Sequence, residues 1–171
     1  KDLPPGLTLD HATGIIAGSL SRAGTTKVAV TVSNARGTVS NLLTVVAGTD
    51  ALALTPPLGW NSWNVWGGSV DDAKVRAAAD AMVSSGLAGL GYQYINIDDG
   101  WEGARDANGV LQPNSKFPDM KALTAYVHSK GLKIGIYSSP GNRTCQGLPG
   151  RFGHEEVEAR TWADWGFDLL K

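Results

Sequence analysis

The chain has 171 residues, of which 42% are hydrophobic and 18% are charged, a composition typical of a globular rather than a disordered protein. Lys and Arg total 15 while Asp and Glu total 16, so the formal net charge is −1, and no block of like charges occurs. This balance argues against nucleic acid as a partner, and no run of about 18 apolar residues indicates membrane insertion. Because the first residue is Lys1, we expect the chain to begin inside a longer protein.

Residues 1–47 have the pattern of a small β module. Three valines alternate with small or polar residues at 28–33, which is the period of a half-buried strand. A second strand is predicted at 42–46, and Asn-Ala-Arg-Gly at 34–37 predicts the turn between the two. We interpret this module as part of a β-sandwich.

Several segments of the β module resemble the immunoglobulin-like repeat of bacterial surface and secreted proteins. They are Leu-Pro-Pro-Gly-Leu-Thr-Leu-Asp at 3–10, Thr-Gly-Ile-Ile-Ala-Gly at 13–18 and Ala-Gly-Thr at 23–25. That repeat usually starts several residues earlier, so its first strand is expected to be missing here. The resemblance implies a spacer or adhesion unit without chemistry of its own.

Residues 48–55 are predicted to be a linker, and the prolines that follow fix an extended start to a second domain at 56–171. Trp60, Trp63 and Trp66 then crowd together beside short polar side chains. Such a cluster suits a sugar, because one face of a pyranose ring carries C–H bonds that stack on an indole. The alternative is that these large aromatic side chains fill a hydrophobic core.

The first helix of the second domain is predicted from a polar start at Ser69. Asp72 follows three positions later, as in a capping box. The apolar residues at positions 75, 79, 82 and 83 then share one helical face, and Gly86 marks the end.

Strands and helices alternate over the rest of the chain, as parallel βα units require. Further strands are predicted at 92–98, 132–138 and 167–170, and further helices between Asp119 and Gly131 and from about 154 to 165. No Gly-x-Gly-x-x-Gly follows a strand, which argues against an open dinucleotide-binding sheet. The predicted fold class is therefore α/β: the N-terminal half of a (β/α)8 TIM barrel, preceded by a partial Ig-like β-sandwich module.

Polar and aromatic residues gather at the carboxyl ends of the predicted strands, where parallel α/β folds bind ligands. They are Asp98, Asp99, Tyr137 and Lys171. The adjacent carboxylates follow an apolar strand and suit sugar hydroxyls. They also fit a solvated loop in which one Asp caps a helix. A metal site would need further acidic or His ligands, and none is evident.

Two segments together resemble glycoside hydrolase family 27, which includes the α-galactosidases. They are Pro-Pro-Leu-Gly-Trp-Asn-Ser-Trp at 56–63 and Ile-Asn-Ile-Asp-Asp-Gly-Trp at 95–101. Later segments agree: Phe-Pro at 117–118, His-Ser-Lys-Gly-Leu-Lys at 128–133, Gly-Ile-Tyr-Ser at 135–138, Gly-Asn-Arg-Thr-Cys at 141–145 and Trp-Ala-Asp-Trp-Gly-Phe-Asp-Leu-Leu-Lys at 162–171. The resemblance extends from residue 56 to the end of the chain.

The resemblance implies a retaining exo-glycosidase that acts on terminal α-linked galactose without a metal or organic cofactor. Trp60 matches the aromatic wall of the galactose pocket, and Asp98 and Asp99 match the pair that binds the 4- and 6-hydroxyls. Tyr137 matches a tyrosine that lines the pocket. Lys171 matches a lysine that donates hydrogen bonds to sugar hydroxyls beside the nucleophile.

The resemblance places no catalytic carboxylate in this chain. The nucleophilic Asp is expected two residues after Lys171, and the general acid/base on a later strand, so the fragment alone is expected to be inactive. Cys145, the one cysteine, matches a residue that forms a disulfide with a cysteine shortly after the nucleophile. The alternative is an unpaired cysteine of a cytoplasmic protein. A secreted, periplasmic or cell-surface location is expected from the Ig-like module and the substrate class.

Two other functions remain open at the level of sequence. Within the family, β-L-arabinopyranosidases and α-N-acetylgalactosaminidases share these motifs. A protein of another class, a non-catalytic carbohydrate-binding or adhesion protein, is compatible with an Ig-like module and missing catalytic carboxylates. In each case the expected partner is a carbohydrate.

Overall fold

The computed structural model describes residues 2–48 and 56–171, which form two compact units that divide after Pro56. Of the predicted linker at 48–55, only the first residue lies among the described residues. The predicted immunoglobulin-like module corresponds to the first unit and the predicted half barrel to the second.

The first unit consists of two antiparallel hairpins. Strand β1 (Leu7–Leu9) pairs with β2 (Ile16–Gly18), and β3 (Gly24–Asn34) pairs with β4 (Gly37–Ala47). The predicted turn is confirmed, since the Arg36 N–H donates to Asn34 Oδ1 at 2.8 Å. Both predicted strands are confirmed and are longer than predicted, because the β3–β4 ladder is continuous over all eleven residues of each strand.

The second unit alternates strands and helices, as predicted. Its elements in chain order are β5 (Gly59–Asn61), α1 (Trp63–Trp66), α2 (Asp72–Ser84), β6 (Tyr94–Ile97), β7 (Glu102–Arg105), β8 (Leu111–Pro113), α3 (Met120–Ser129), β9 (Lys133–Ile136), α4 (Glu155–Trp165) and β10 (Leu169–Leu170). Two short 3₁₀ helices lie at Gly67–Ser69 and Leu87–Leu90. The single-turn helix α1 and the antiparallel β7–β8 pair were not predicted.

Four strands of the second unit form one parallel sheet in the order β10-β9-β6-β5. Strands that are neighbours in the sheet follow one another along the chain, separated by α2, α3 and α4. An open doubly wound sheet would instead reverse its strand order at the first strand. The progression in one direction is that of a TIM barrel, so the unit is a partial (β/α)8 barrel, as predicted.

The core lies between the parallel sheet and the helices. Ile95 and Ile97 of β6 are fully buried, while Asn96 between them points to the opposite face, as the strand period of two requires. On that face Asn96 lies over Gly135 of β9, where an added Cβ would come within 2.1 Å of Asn96 Oδ1. The core also contains Val70, Val75, Ala79, Met82, Trp101, Leu111, Phe117, Met120, Leu123, Val127, Leu132, Ile134, Ile136 and Trp162.

The predicted start of helix α2 is wrong by two residues. Asp71 caps the helix, with its side chain accepting from the Lys74 N–H at 2.8 Å, while the Ser69 hydroxyl donates to Trp66 O within the preceding 3₁₀ turn. Ser69 is unsuited to the cap because that turn already uses its side chain. Of the predicted apolar face only Val83 is exposed, because it lies at the edge of the stripe that packs on the sheet.

Candidate active site

The candidate site lies at the carboxyl edge of the parallel sheet. Asp98 and Asp99 directly follow β6, Tyr137 follows β9 and Lys171 follows β10, while Trp60 lies within β5. Because neighbouring parallel strands end at the same edge, the fold brings these positions together from four separate segments. The two carboxylates are almost completely buried, with 5% and 2% of their residue surfaces exposed.

Asp98 is held from three directions. Its backbone N–H donates to the Ser62 hydroxyl at 2.9 Å, its Oδ1 accepts from the Asp99 N–H at 2.8 Å, and its Oδ2 forms an ion pair with Lys171 Nζ. Burial alone would raise the pKa of Asp98, but the Lys171 ammonium and the Asp99 N–H outweigh it, and the pKa is lowered. Asp98 is therefore a fixed carboxylate whose charge is balanced by Lys171.

Within the described residues, Asp99 uses one carboxylate oxygen and leaves the other free. Its Oδ2 accepts from the Gln146 N–H at 2.9 Å. Its Oδ1 is buried and has no hydrogen-bond partner among residues 2–48 and 56–171. A buried carboxylate oxygen without a donor costs free energy, so this atom marks a place where a ligand donor would be stabilised.

Tyr137 connects Lys171 with Cys145. The Lys171 ammonium lies 5.7 Å from the centre of the Tyr137 ring, and the phenol oxygen is 3.9 Å from Cys145 Sγ. Burial and the neighbouring thiol raise the pKa of Tyr137 to about 12, so its hydroxyl keeps its proton and can donate. Cys145 itself is exposed and forms no disulfide.

Trp60 lines a cavity of about 470 Å³ that Lys171 also borders. Asn61, Asn96 and Trp63 also line this cavity, so polar and aromatic residues border it together. Asp98 does not itself line the cavity but forms an ion pair with Lys171, which does. All five predicted substrate-binding residues thus belong to one region, and their contact with a sugar stays a prediction.

Residues of the β7–β8 hairpin, which was not predicted, form hydrogen bonds to the segment that follows Asp99. Glu102 is 3% exposed, and its Oε2 accepts from the Gly100 N–H at 2.9 Å. Asn114, just after β8, donates through Nδ2 to the Gly100 carbonyl at 2.9 Å. Burial, together with the nearby charge of Asp99, raises the pKa of Glu102 to about 7. Only the position of Glu102 next to the Asp-Asp-Gly-Trp motif could have indicated a role.

A largely buried ion pair connects the β7–β8 hairpin to helix α4. Arg105 of β7 pairs with Glu158 of α4, and its guanidinium also donates to the carbonyls of Gly109 at 2.8 Å and Gly150 at 2.6 Å. Burial raises the pKa of Glu158, although Arg105 opposes that shift. These contacts hold the hairpin against α4 and against the loop that contains Gln146.

Two kinds of feature are missing from the described part of the chain. No three His, Cys, Asp or Glu side chains in residues 2–48 and 56–171 are grouped so that they could hold a metal ion. Over the same residues, no helix combines the length and hydrophobicity needed to cross a bilayer.

Comparison with known proteins identifies relatives for both units. The profile of the family described as Alpha galactosidase A matches residues 55–171, and that of an Ig domain family matches residues 1–48. Alpha-galactosidase A of Cellvibrio japonicus is 55% identical over 141 residues, which are 79% of this chain and 35% of that protein. The chain thus spans about a third of the length of this relative.

Solved structures agree with the sequence relatives. Alpha-galactosidase I from Mortierella vinacea superposes with a TM-score of 0.70 and 45% identity, over 72% of this chain and 32% of that one. The Saccharomyces cerevisiae α-galactosidase crystallised with raffinose gives a TM-score of 0.68 and 38% identity, over 70% and 27%. With a family profile that matches most of the residues, a partial barrel, and an Asp-Asp pair beside a lysine at its carboxyl edge, the chain belongs to the α-galactosidase A family, glycoside hydrolase family 27.

Proposed function

We propose that this chain carries the sugar-recognition half of the active site of a retaining exo-glycosidase that hydrolyses terminal α-linked galactose. The observation that supports this most directly is the buried Asp98-Asp99 pair, in which Asp98 pairs with Lys171 and Asp99 Oδ1 has no hydrogen-bond partner among the described residues. The relatives named above are α-galactosidases, and the chain covers about a third of the Cellvibrio protein.

The proposed binding mode follows from the donors and acceptors present. The Asp98-Asp99 pair accepts hydrogen bonds from two adjacent sugar hydroxyls, one of them at the free oxygen of Asp99. Lys171 keeps further N–H donors after pairing with Asp98 and directs them to the ring hydroxyls. Hydrogen bonds to charged groups contribute about 1.5 to 3 kcal/mol each, so these contacts can separate galactose from its 4-epimer.

Trp60 supplies the apolar part of recognition. Its half-buried side chain borders the cavity together with Asn61 and Asn96, and this mixture of aromatic and polar residues fits a ring with one C–H face and a rim of hydroxyls. The proposed substrates are therefore oligosaccharides and glycosides with an exposed terminal galactose. The yeast relative crystallised with raffinose is consistent with that class.

The bond-breaking groups are proposed to belong to the complete protein. A retaining glycosidase uses two carboxyl groups about 5 to 5.5 Å apart, one as nucleophile and one as acid and then base. Asp98 is unsuited to either role, because Lys171 already neutralises it and holds it in place. The nucleophile is proposed to be an Asp two residues after Lys171, in line with the family resemblance.

The proposed activity is tested by expressing the complete reading frame that encodes this chain and assaying p-nitrophenyl glycosides. We expect turnover of the α-galactoside to exceed that of the α-glucoside, the β-L-arabinopyranoside and the α-N-acetylgalactosaminide. Preference for the arabinopyranoside or the N-acetyl sugar would reassign the substrate within the family. Galactose binding without turnover of any glycoside would instead establish a non-catalytic lectin-like protein and overturn the enzymatic proposal.

Cys145 is proposed to form a disulfide in the complete protein, which we place in a secreted, periplasmic or cell-surface location because of the substrate class and the Ig-like module. In the present chain its thiol is exposed, so iodoacetamide is expected to modify it under native conditions. In the complete protein we expect modification only after reduction. Mass spectrometry before and after reduction measures the difference, and a thiol that reacts equally in both would contradict the disulfide.

A further inference from the structure

The peptide that follows Asp99 is clamped by two side chains of the β7–β8 hairpin. The Gly100 N–H donates to Glu102 Oε2 and its carbonyl accepts from Asn114 Nδ2, both at 2.9 Å. The Asn114 backbone N–H also donates to the Trp101 carbonyl at 2.8 Å. Both polar groups of Gly100 are therefore engaged by side chains and not by a neighbouring strand.

Gly100 has little freedom to move by itself. Its φ of +111° lies in a region that residues with a Cβ rarely adopt, and an added Cβ would come within 3.0 Å of Gly68 Cα and 3.1 Å of Gln146 Nε2. The residue thus fits a narrow space between the 3₁₀ helix at Gly67–Ser69 and the loop that contains Gln146. Since glycine offers no side chain to orient this peptide, its orientation depends on Glu102 and Asn114.

The burial of Glu102 is costly for the fold. Its Oε1 has no hydrogen-bond partner among the described residues, and the like charge of Asp99 further disfavours an ionised Glu102. An apolar side chain of similar size would avoid this desolvation penalty. Glu102 provides a hydrogen-bond acceptor for the Gly100 N–H, which an apolar residue would not. This acceptor lies directly beside the candidate sugar-binding carboxylates.

We propose that Glu102 and Asn114 are positioning residues, which fix the Gly100 peptide and so aim the free oxygen of Asp99 at the sugar. This inference depends on the proposed function of the Asp98-Asp99 pair. Neither residue touches substrate; both act through the backbone of the residue after Asp99. The Gln146 N–H fixes the other oxygen of the same carboxylate, so three donors or acceptors define its direction.

If Glu102 and Asn114 no longer fix the direction of the Asp99 carboxylate, sugar binding is expected to weaken more than bond cleavage slows. The hydroxyls bound by Asp99 are remote from the bond that breaks, so they are held similarly in the ground state and the transition state. Removing an interaction that is equally strong in the ground state and the transition state raises KM and leaves kcat nearly unchanged. We expect KM to rise about tenfold, as for the loss of one hydrogen bond to a charged group.

The test uses the complete protein and four variants. Glu102→Leu removes the acceptor for Gly100, while Glu102→Gln keeps an oxygen in the same place. Asn114→Asp removes the donor to Gly100 but keeps Oδ1, which accepts from the Lys116 N–H at 3.0 Å. The matched control is Gln112→Ala, which lies on the same hairpin and, among the described residues, has side-chain hydrogen bonds only to Asp106 and Val110.

For each variant, kcat, KM and the inhibition constant of free galactose are measured with an α-galactoside. Glu102→Leu and Asn114→Asp are expected to raise KM and the galactose inhibition constant about tenfold, with kcat within about threefold, while Glu102→Gln and Gln112→Ala stay close to the parent. Unchanged constants in the first two variants, or a fall in kcat at constant KM, would overturn the positioning role. If the parent protein neither binds galactose nor turns over the glycoside, the proposed function fails instead.

Discussion

Replacing Asp99 with asparagine is expected to lower kcat/KM for an α-galactoside about 100-fold in the complete protein. The amide has nearly the same shape, and its oxygen can still accept from the Gln146 N–H. Its NH₂ group then occupies the position of Oδ1, a buried acceptor that has no hydrogen-bond partner within residues 2–48 and 56–171. A sugar hydroxyl that donates to the carboxylate would meet another donor, and the charge that strengthens the bond would be lost.

The control for Asp99→Asn is Asp164→Asn, an exposed carboxylate on α4 with no ion pair among the described residues. This variant is expected to retain the activity of the parent within about twofold, since surface charges contribute little. The selectivity for galactoside over glucoside should also fall in Asp99→Asn, because the contacts to the 4-hydroxyl are weakened. Retained activity and retained selectivity in Asp99→Asn would show that Asp99 does not bind the sugar.

The sequence was sufficient to place the candidate site because strand ends in parallel sheets share an edge. Asp98 and Asp99 could be assigned to the carboxyl end of an apolar strand, and Lys171 to the end of another strand 73 positions away. In the structure the strand order β6–β9–β10 brings Lys171 into contact with Asp98. The alternation of Ile and Asn in β6 likewise predicts which side chains face the helices.

The partners of these residues could not be predicted in the same way. The strand that contains Glu102 is too short and too polar to show a period, although Glu102 is buried in the fold. The Gln146 N–H reaches Asp99 from a loop without regular structure. Ser69 and Asp71 are both good helix caps in isolation, and only the 3₁₀ turn decides between them. Loop geometry, not composition, determines these contacts.

The stability of the protein is expected to fall between about pH 4.5 and pH 7 because of Glu102. The pKa of this carboxyl is raised from 4.5 to about 7 in the folded protein, mainly by burial. Between those values the folded state binds the Glu102 proton more tightly than the unfolded state does. This contribution to stability is therefore complete below the pKa of Glu102 in the unfolded state. It is lost as the pH rises through the pKa in the folded state, and the total loss is about 3 kcal/mol.

A comparison with Glu102→Gln isolates this contribution. The amide stays uncharged at every pH, so the free energy of unfolding of the variant relative to the parent should increase by about 3 kcal/mol from pH 4.5 to pH 8. The opposite shift at Asp98, whose pKa is lowered, is common to both proteins and cancels in the difference.

Denaturant titrations at several pH values provide the measurement, and Glu156→Gln, on the exposed side of α4, controls for the loss of one carboxyl. A difference that stays constant with pH would mean that Glu102 is ionised in the folded protein throughout this range, and that solvent or another donor reaches its free oxygen.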